Sequence, residues 1–232
     1  VRWLEKAVLF DGFLAISNYS KERLENWGKK NEITIPRVRV FGLGSNFSPS
    51  NGEKQTPEQI PVEKPYYLMV GTIEPRKGHE DVIDAFDRYW EKGGKSHCVF
   101  VGRKGWKVIH IVRRLENHKE YKKKLFWLKG IEDSLLKKLY NEAEAVIVAA
   151  HVEGYGLPIV EALNYKKIVL ARDIPIFREI GGDCIKYFKD QAELETLITE
   201  GNIPNLKNKN YVSKDWNTSF KEMISVINLI VN

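Results

Sequence analysis

Ala145-Val146-Ile147-Val148-Ala149-Ala150-His151-Val152-Glu153-Gly154-Tyr155-Gly156-Leu157-Pro158-Ile159-Val160-Glu161-Ala162 begins as an apolar run, passes two glycines and turns helical at a proline. Ala145–Ala149 carries no charge and fits a strand buried on both faces. Gly154 and Gly156 let the backbone bend and come close to a neighbour. Pro158 suits the first helical position. Glu153 and Glu161 stand eight positions apart; on one continuous helix that spacing would turn them about 80° from each other. With the glycine bend between them, Glu153 precedes the turn and Glu161 lies about one turn inside the helix.

On both sides of this segment the same alternation repeats. Short apolar runs predict strands at Tyr67–Val70, Cys98–Val101, Leu125–Leu128, Ile168–Ala171 and Cys184–Phe188. Helical periods lie between them. His79–Trp90 places Val82, Ile83, Phe86, Tyr89 and Trp90 on one stripe, and Trp106–Glu116 and Ser134–Asn141 follow the same spacing. Apolar strands alternating with amphipathic helices predict an α/β fold, a Rossmann-like doubly wound parallel sheet. Ligands of such sheets sit outside the carboxyl ends of the strands, so the chemistry is expected just after each strand.

The first sixty residues follow another pattern. Trp3–Leu9 is amphipathic, Phe13–Ile16 is apolar, and Ser20 is expected to cap a polar helix over Lys21–Lys29. A β-branched run, Val38–Phe41, ends at Gly42-Leu43-Gly44, and Ser45–Pro65, rich in Ser, Pro and Asn, marks a linker. After a polar loop from Thr199 to Val212, a last amphipathic helix carries Trp216, Phe220, Met223, Ile224, Ile227 and Ile230.

Composition narrows the class. A chain of 232 residues suits one large domain, or one domain and part of a second. With 43% hydrophobic and 29% charged residues it is globular rather than disordered. No run approaches the roughly 18–20 apolar residues of a membrane-spanning helix. The opening, broken by Glu5, Lys6 and Asp11, does not resemble a signal peptide. Val at position 1 leads to the expectation of a piece of a longer polypeptide. Cys98 and Cys184, each in an apolar run, are expected as small core residues, which suits a reducing, cytoplasmic setting. A net charge of +6 favours anionic partners.

Gly71-Thr72-Ile73-Glu74-Pro75-Arg76-Lys77-Gly78 follows the first strand of the alternating region. Adjacent Arg76 and Lys77 at the mouth of a helix form a compact cationic site for a phosphate. Gly102-Arg103-Lys104-Gly105 follows the next strand and again sets cations between glycines. It matches neither a Walker A loop nor GxGxxG, so nicotinamide and flavin cofactors are disfavoured. Between Glu153 and Glu161, loop amides and a helix start would face an anion with a carboxylate on each side. A diphosphate flanked by hydroxyl-bearing groups fits there, as in a nucleotide sugar. A plain strand–turn–helix with a capping glutamate fits the same residues, and spacing alone leaves both open.

The stretch Glu153-Gly154-Tyr155-Gly156-Leu157-Pro158-Ile159-Val160-Glu161-Ala162 resembles the donor-site signature of retaining glycosyltransferase family 4, a GT-B family with two facing Rossmann-like domains. VGTIEPRKGH, VGRKGW, FWLKGIEDSLLKKLYNEAEAVIVAA and ARDIPIFREIGGD resemble family segments in the same order, from about Tyr66 to Phe188. The similarity is nearest to bacterial polysaccharide and O-antigen mannosyl- or rhamnosyltransferases. It implies that residues 59–212 are the donor domain, that 1–58 end the acceptor-side domain and its linker, and that 213–232 form a helix crossing back. It further implies Arg76 and Lys77 on the donor diphosphate, Glu161 on the ribose and Glu153 on the transferred sugar. Gly71, Thr72, Gly102 and Arg103 would also bind the donor, and Gly154, Tyr155, Gly156 and Leu157 would offer backbone amides. Gly130 and Ile131 would line the base pocket. Thr72 stands where many members carry Arg, and Ala150 where many carry Ser.

The resemblance implies a metal-independent enzyme with no cofactor beyond its donor, GDP-mannose by subgroup. It implies a glycan or lipid-linked acceptor, held by a missing N-terminal domain, with peripheral contact at the inner face of the cell membrane. Rival readings are a non-catalytic nucleotide-sugar-binding scaffold, or another GT-B enzyme such as an epimerase or phosphorylase. Nucleic-acid binding is disfavoured, although Lys119–Lys138 holds seven Lys. Phe126 and Tyr140 in that stretch have core spacing, which leaves a solvated basic face. His79, His97, His110, His118 and His151 show no metal-ligand spacing, and His79 and His151 flank the expected cleft.

Overall fold

Uncharged runs become strands in the computed structural model, which describes residues 6–47, 60–201, 211 and 213–231. The chain folds as two units, one of Val1–Asn46 with Val212–Asn232 and one of Phe47–Tyr211. The expected boundary at residue 58, most of the linker and most of the loop before Val212 lie outside the described residues.

In the first unit β1 (Gly12–Ala15) and β2 (Arg37–Val40) pair in parallel, Gly12 opposite Arg37. Helix α1 (Asn18–Lys30) connects them. Its N-cap is Ser17 rather than the expected Ser20: Ser17 is extended and its hydroxyl accepts the Ser20 N–H at 3.0 Å. The sequence offered serine at both positions, and the earlier one has the extended backbone that a cap requires. Of the amphipathic stretch Trp3–Leu9, the described end is a 3₁₀ turn, Ala7–Leu9.

The second unit holds β3 (Tyr66–Val70), β4 (His97–Val101), β5 (Leu125–Leu128), β6 (Ala145–Val148), β7 (Ile168–Arg172) and β8 (Lys186–Phe188). Their order is β5-β4-β3-β6-β7-β8 and every pair is parallel. The chain builds outward from β3 in one direction, then returns to β3 and builds in the other. This is the doubly wound order, and its switch point lies between β3 and β6.

Six helices connect and follow these strands: α2 (His79–Glu91), α3 (Ile109–Glu116), α4 (Asp133–Glu142), α5 (Leu157–Asn164), α6 (Pro175–Gly181) and α7 (Gln191–Glu200). Tyr67 and Met69 point into one cluster with Phe86, Phe100, Ile111 and Leu194. Tyr66 and Leu68 alternate with them and are fully buried on the opposite face. Both faces of the sheet are therefore covered, and each large apolar side chain so buried contributes about 1.5–3 kcal/mol.

Local sterics correct three expectations. Helix α3 starts at Ile109, not Trp106, because Lys107 has φ 53° and breaks the helical run. Trp106 is left 60% exposed in the turn. Strand β8 starts at Lys186, because Gly182–Cys184 forms a 3₁₀ turn. Cys184 is consequently half-buried and not a core residue, whereas Cys98 is buried as expected.

Candidate active site

The β3 and β4 exits pack backbone against backbone. A Cβ on Gly102 would sit 2.0 Å from the Gly71 carbonyl oxygen, so no side chain fits there. The Ile73 N–H donates to the Arg103 carbonyl at 2.9 Å and the Gly105 N–H to the Ile73 carbonyl at 3.0 Å. This pairing fixes Gly71, Thr72, Gly102 and Arg103 along one rim. The Arg103 side chain is exposed.

Beyond Thr72 the chain makes a 3₁₀ turn, Pro75–Lys77, and enters α2 through Gly78 at φ 76°. A Cβ on Gly78 would lie 2.2 Å from the Ala149 carbonyl oxygen, so the turn is pressed against the end of β6. The His151 N–H donates to the Arg76 carbonyl at 2.8 Å across the same contact. The β3 and β6 loops are therefore locked together at the switch point.

That contact brings the predicted cations onto a predicted carboxylate. Lys77 Nζ lies 2.5 Å from Glu153 Oε2, and Arg76 Nη1 lies 3.2 Å from the same oxygen. Arg76 also donates to the Val152 carbonyl at 3.1 Å and pairs through Nε with Glu74 at 2.8 Å. Burial pushes the Glu153 carboxyl up, but the Lys77 hydrogen bond and charge, the Gly154 N–H and Arg76 outweigh it and hold it below the usual carboxylate range. The crevice beside this pair is lined by Val70, Lys77, Val148, Glu153, Gly156 and Pro158. Gly156, at φ 106°, caps α5 against the Phe177 ring, and Leu157 and Pro158 begin the helix.

Glu161 stands in a different environment. The Tyr140 hydroxyl donates to Glu161 Oε2 at 2.7 Å. Burial raises the Glu161 carboxyl, the Tyr140 hydrogen bond opposes the rise, and the Asp133 charge adds to it. Asp133 begins α4 just beyond Gly130, at φ 61°, and Ile131. The expected base turn therefore leads into the helix whose Tyr140 bonds the expected ribose residue.

Some partners were not legible in the spacing. Arg172, at the end of β7, is 7% exposed. It donates to the Ala149 and Lys189 carbonyls at 2.8 and 3.0 Å and pairs with Asp81. His151 Nε2 meets the same Asp81 at 3.0 Å, so this histidine orders the loop. The rule of looking just past each strand would have singled out Arg172. His79 does not face the cleft: it is 1% exposed against Phe100, and burial, with the Lys77 charge, pushes it down to about 3. Among the described residues no cluster of His, Cys, Asp or Glu could hold a metal ion.

The family described as "Glycosyl transferases group 1" matches residues 50–198, well over half of the chain. The chain belongs to this family. The serotype-specific mannosyltransferase WbdA of Escherichia coli is 38% identical over 173 residues, covering 72% of this chain and 21% of that protein. The O-antigen chain mannosyltransferase RfbU of Salmonella typhimurium is 26% identical over 166 residues, 68% of this chain and 45% of its own. The chain thus spans about a fifth of the length of WbdA. Among solved structures, Anabaena Alr3699/HepE in complex with UDP and glucose superposes with a TM-score of 0.75 at 16% identity. That likeness covers 97% of this chain and 65% of HepE, and it agrees with the GT-B donor fold implied by the motifs. No helix among the described residues of this family member is long and apolar enough to cross a membrane.

Proposed function

We propose that this group 1 glycosyl transferase chain is the donor-binding part of a retaining enzyme that moves a hexose from a nucleoside diphosphate sugar to a glycan acceptor. Mannose is the favoured hexose, because WbdA and RfbU are named mannosyltransferases. The observation that carries the proposal is the Lys77–Arg76–Glu153 cluster at the sheet's switch point. Residues 59–212 serve as the donor domain, 1–58 as the end of the acceptor-side domain, and 213–232 as the returning helix. The acceptor is a growing polysaccharide or a lipid-linked glycan. The transferase names of the relatives favour transfer over a binding scaffold or an epimerase.

In the reaction the bond from the anomeric carbon to the diphosphate oxygen breaks, and the diphosphate keeps the electron pair. An acceptor hydroxyl forms the new bond to that carbon, and its proton passes to the departing diphosphate oxygen. Negative charge builds on the departing diphosphate, where Lys77, Arg76 and the loop amides stabilise it. Fixed cations and dipoles at this point are the largest expected contribution to rate. Glu153, which holds both cations in the free chain, meets the hexose hydroxyls once the diphosphate takes over the cations. Glu161 accepts from the ribose.

The test is a thermal-shift screen of sugar nucleotides on the chain, followed by a turnover assay with the best donor and a glycan acceptor. GDP-mannose is expected to stabilise most and to be consumed. Stabilisation by no nucleoside diphosphate sugar would overturn the proposal.

A further inference from the structure

We infer that Tyr140 is the positioning residue for ribose recognition, holding Glu161 so that the carboxylate meets a vicinal diol. The inference rests on the proposed contact between Glu161 and the ribose.

Tyr140 has no solvent exposure and cannot itself touch a ligand. Its ring stacks on Tyr165 at 5.6 Å between centroids, and Phe47 meets it edge-on at 5.5 Å. A ring clamped in this way aims its hydroxyl in one direction, and that direction is Glu161 Oε2. Burial keeps the phenol protonated, well above its ordinary range, so it acts as a donor. A carboxylate has about four acceptor sites on two oxygens. Tyr140 occupies one of them on Oε2, which leaves the acceptor sites of Oε1 and the rest of Oε2 for a ligand. Two adjacent hydroxyls need such a pair of acceptors held in one plane. Tyr140 also opposes protonation. Burial and Asp133 both push the Glu161 carboxyl toward its neutral form, and the Tyr140 hydrogen bond works against them. Without this donor the carboxyl would take a proton at higher pH and lose acceptor capacity.

The experiment is isothermal titration of the chain with GDP and UDP, each beside its 2′,3′-dideoxy analogue. Wild type is expected to prefer the ribonucleotide at least about tenfold, the value of one good hydrogen bond to a charged group. Tyr140→Phe is expected to bring that ratio within about threefold, with affinity for the dideoxy compound unchanged. A merely structural Tyr140 would weaken both ligands alike and keep the ratio. In a Glu161→Gln background the tyrosine substitution should then change nothing further. If Tyr140→Phe fails to fold, 3-fluorotyrosine placed at 140 keeps the shape and strengthens the donor. It should move the pH at which the ratio is lost downward, and no movement overturns the inference. A ratio retained in Tyr140→Phe also overturns it. A wild-type chain that binds diphosphates without preferring ribose rejects the Glu161 contact itself, so the two failures are told apart.

Discussion

Glu153 and Glu161 lie eight positions apart on one strand–loop–helix segment, yet their surroundings act on their charges in opposite directions. Glu153 sits between two cations and is held ionised below the usual range. Glu161 sits against a neutral donor and is raised by burial and by the charge of Asp133. The first environment is built to exchange partners, because a diphosphate can replace the carboxylate on Lys77. The second is built to stay as it is, because a clamped phenol does not leave. Under the proposed function the first environment would serve bond breaking and the second would read the nucleoside.

The strongest way to break this contrast is Lys77→Ala. Loss of one preorganised donor to a departing oxyanion costs roughly 2–4 kcal/mol, about 30- to 1,000-fold in rate. Turnover with the sugar donor should fall by that factor at a temperature where the variant is still folded, the thermal unfolding midpoint dropping as the Lys77–Glu153 pair is lost. Near-normal turnover would remove Lys77 from the reaction. Next in size is Glu153→Gln, which separates binding from transfer. With the competing carboxylate neutralised, nucleoside diphosphate should bind equally well or a few-fold tighter. Transfer should fall roughly tenfold to a hundredfold, since the hexose loses a charged hydrogen-bond acceptor. Parallel loss of both would place Glu153 in the fold rather than in the chemistry.

Acid titration sharpens the same contrast at a scale of about tenfold. Glu153, with its lowered value, contributes stability that is present above the ordinary carboxylate range and is lost as pH falls through its folded value. Glu161, with its raised value, works against the fold at neutral pH, and that cost is relieved as pH falls through its higher value. Glu161 therefore protonates first. The preference for ribonucleotide over dideoxynucleotide should fade on acidification while the dideoxy compound, held through its phosphates, still binds. Titration calorimetry from neutral pH down to about 4.5 follows both, and taking their ratio cancels the titration of the phosphates themselves.

The strands were legible because β3, β4 and β6 are nearly unbroken apolar runs, the pattern of a buried parallel sheet. Lys77 and Glu153 were legible as residues that follow such strands. Their direct contact was not, since it spans 76 positions and depends on Gly78 pressing on Ala149. Tyr140 carried a core signal that was correct for its ring and silent about its hydroxyl. Arg172 and Asp81 meet across 91 positions, a distance no local period records. Trp106 misled because helical spacing does not reveal that Lys107 takes a left-handed conformation.

The smallest expected effect belongs to Arg103→Ala, and it tests how narrowly the charged half of the cleft is drawn. Arg103 shares the rim with Gly71 and Gly102, and its carbonyl accepts the Ile73 N–H at 2.9 Å, so its backbone is fixed. Its side chain is exposed. An exposed charge contributes about 0.2–1 kcal/mol and is screened by salt. Nucleoside diphosphate affinity should therefore fall no more than about fivefold in Arg103→Ala, and the deficit should vanish at high ionic strength. Lys77, only 16% exposed and fixed on Glu153, should keep its full effect under the same salt. An Arg103→Ala loss equal to that of Lys77→Ala and indifferent to salt would place the diphosphate over the β4 turn, with the cationic end of the cleft extending across three strands instead of two.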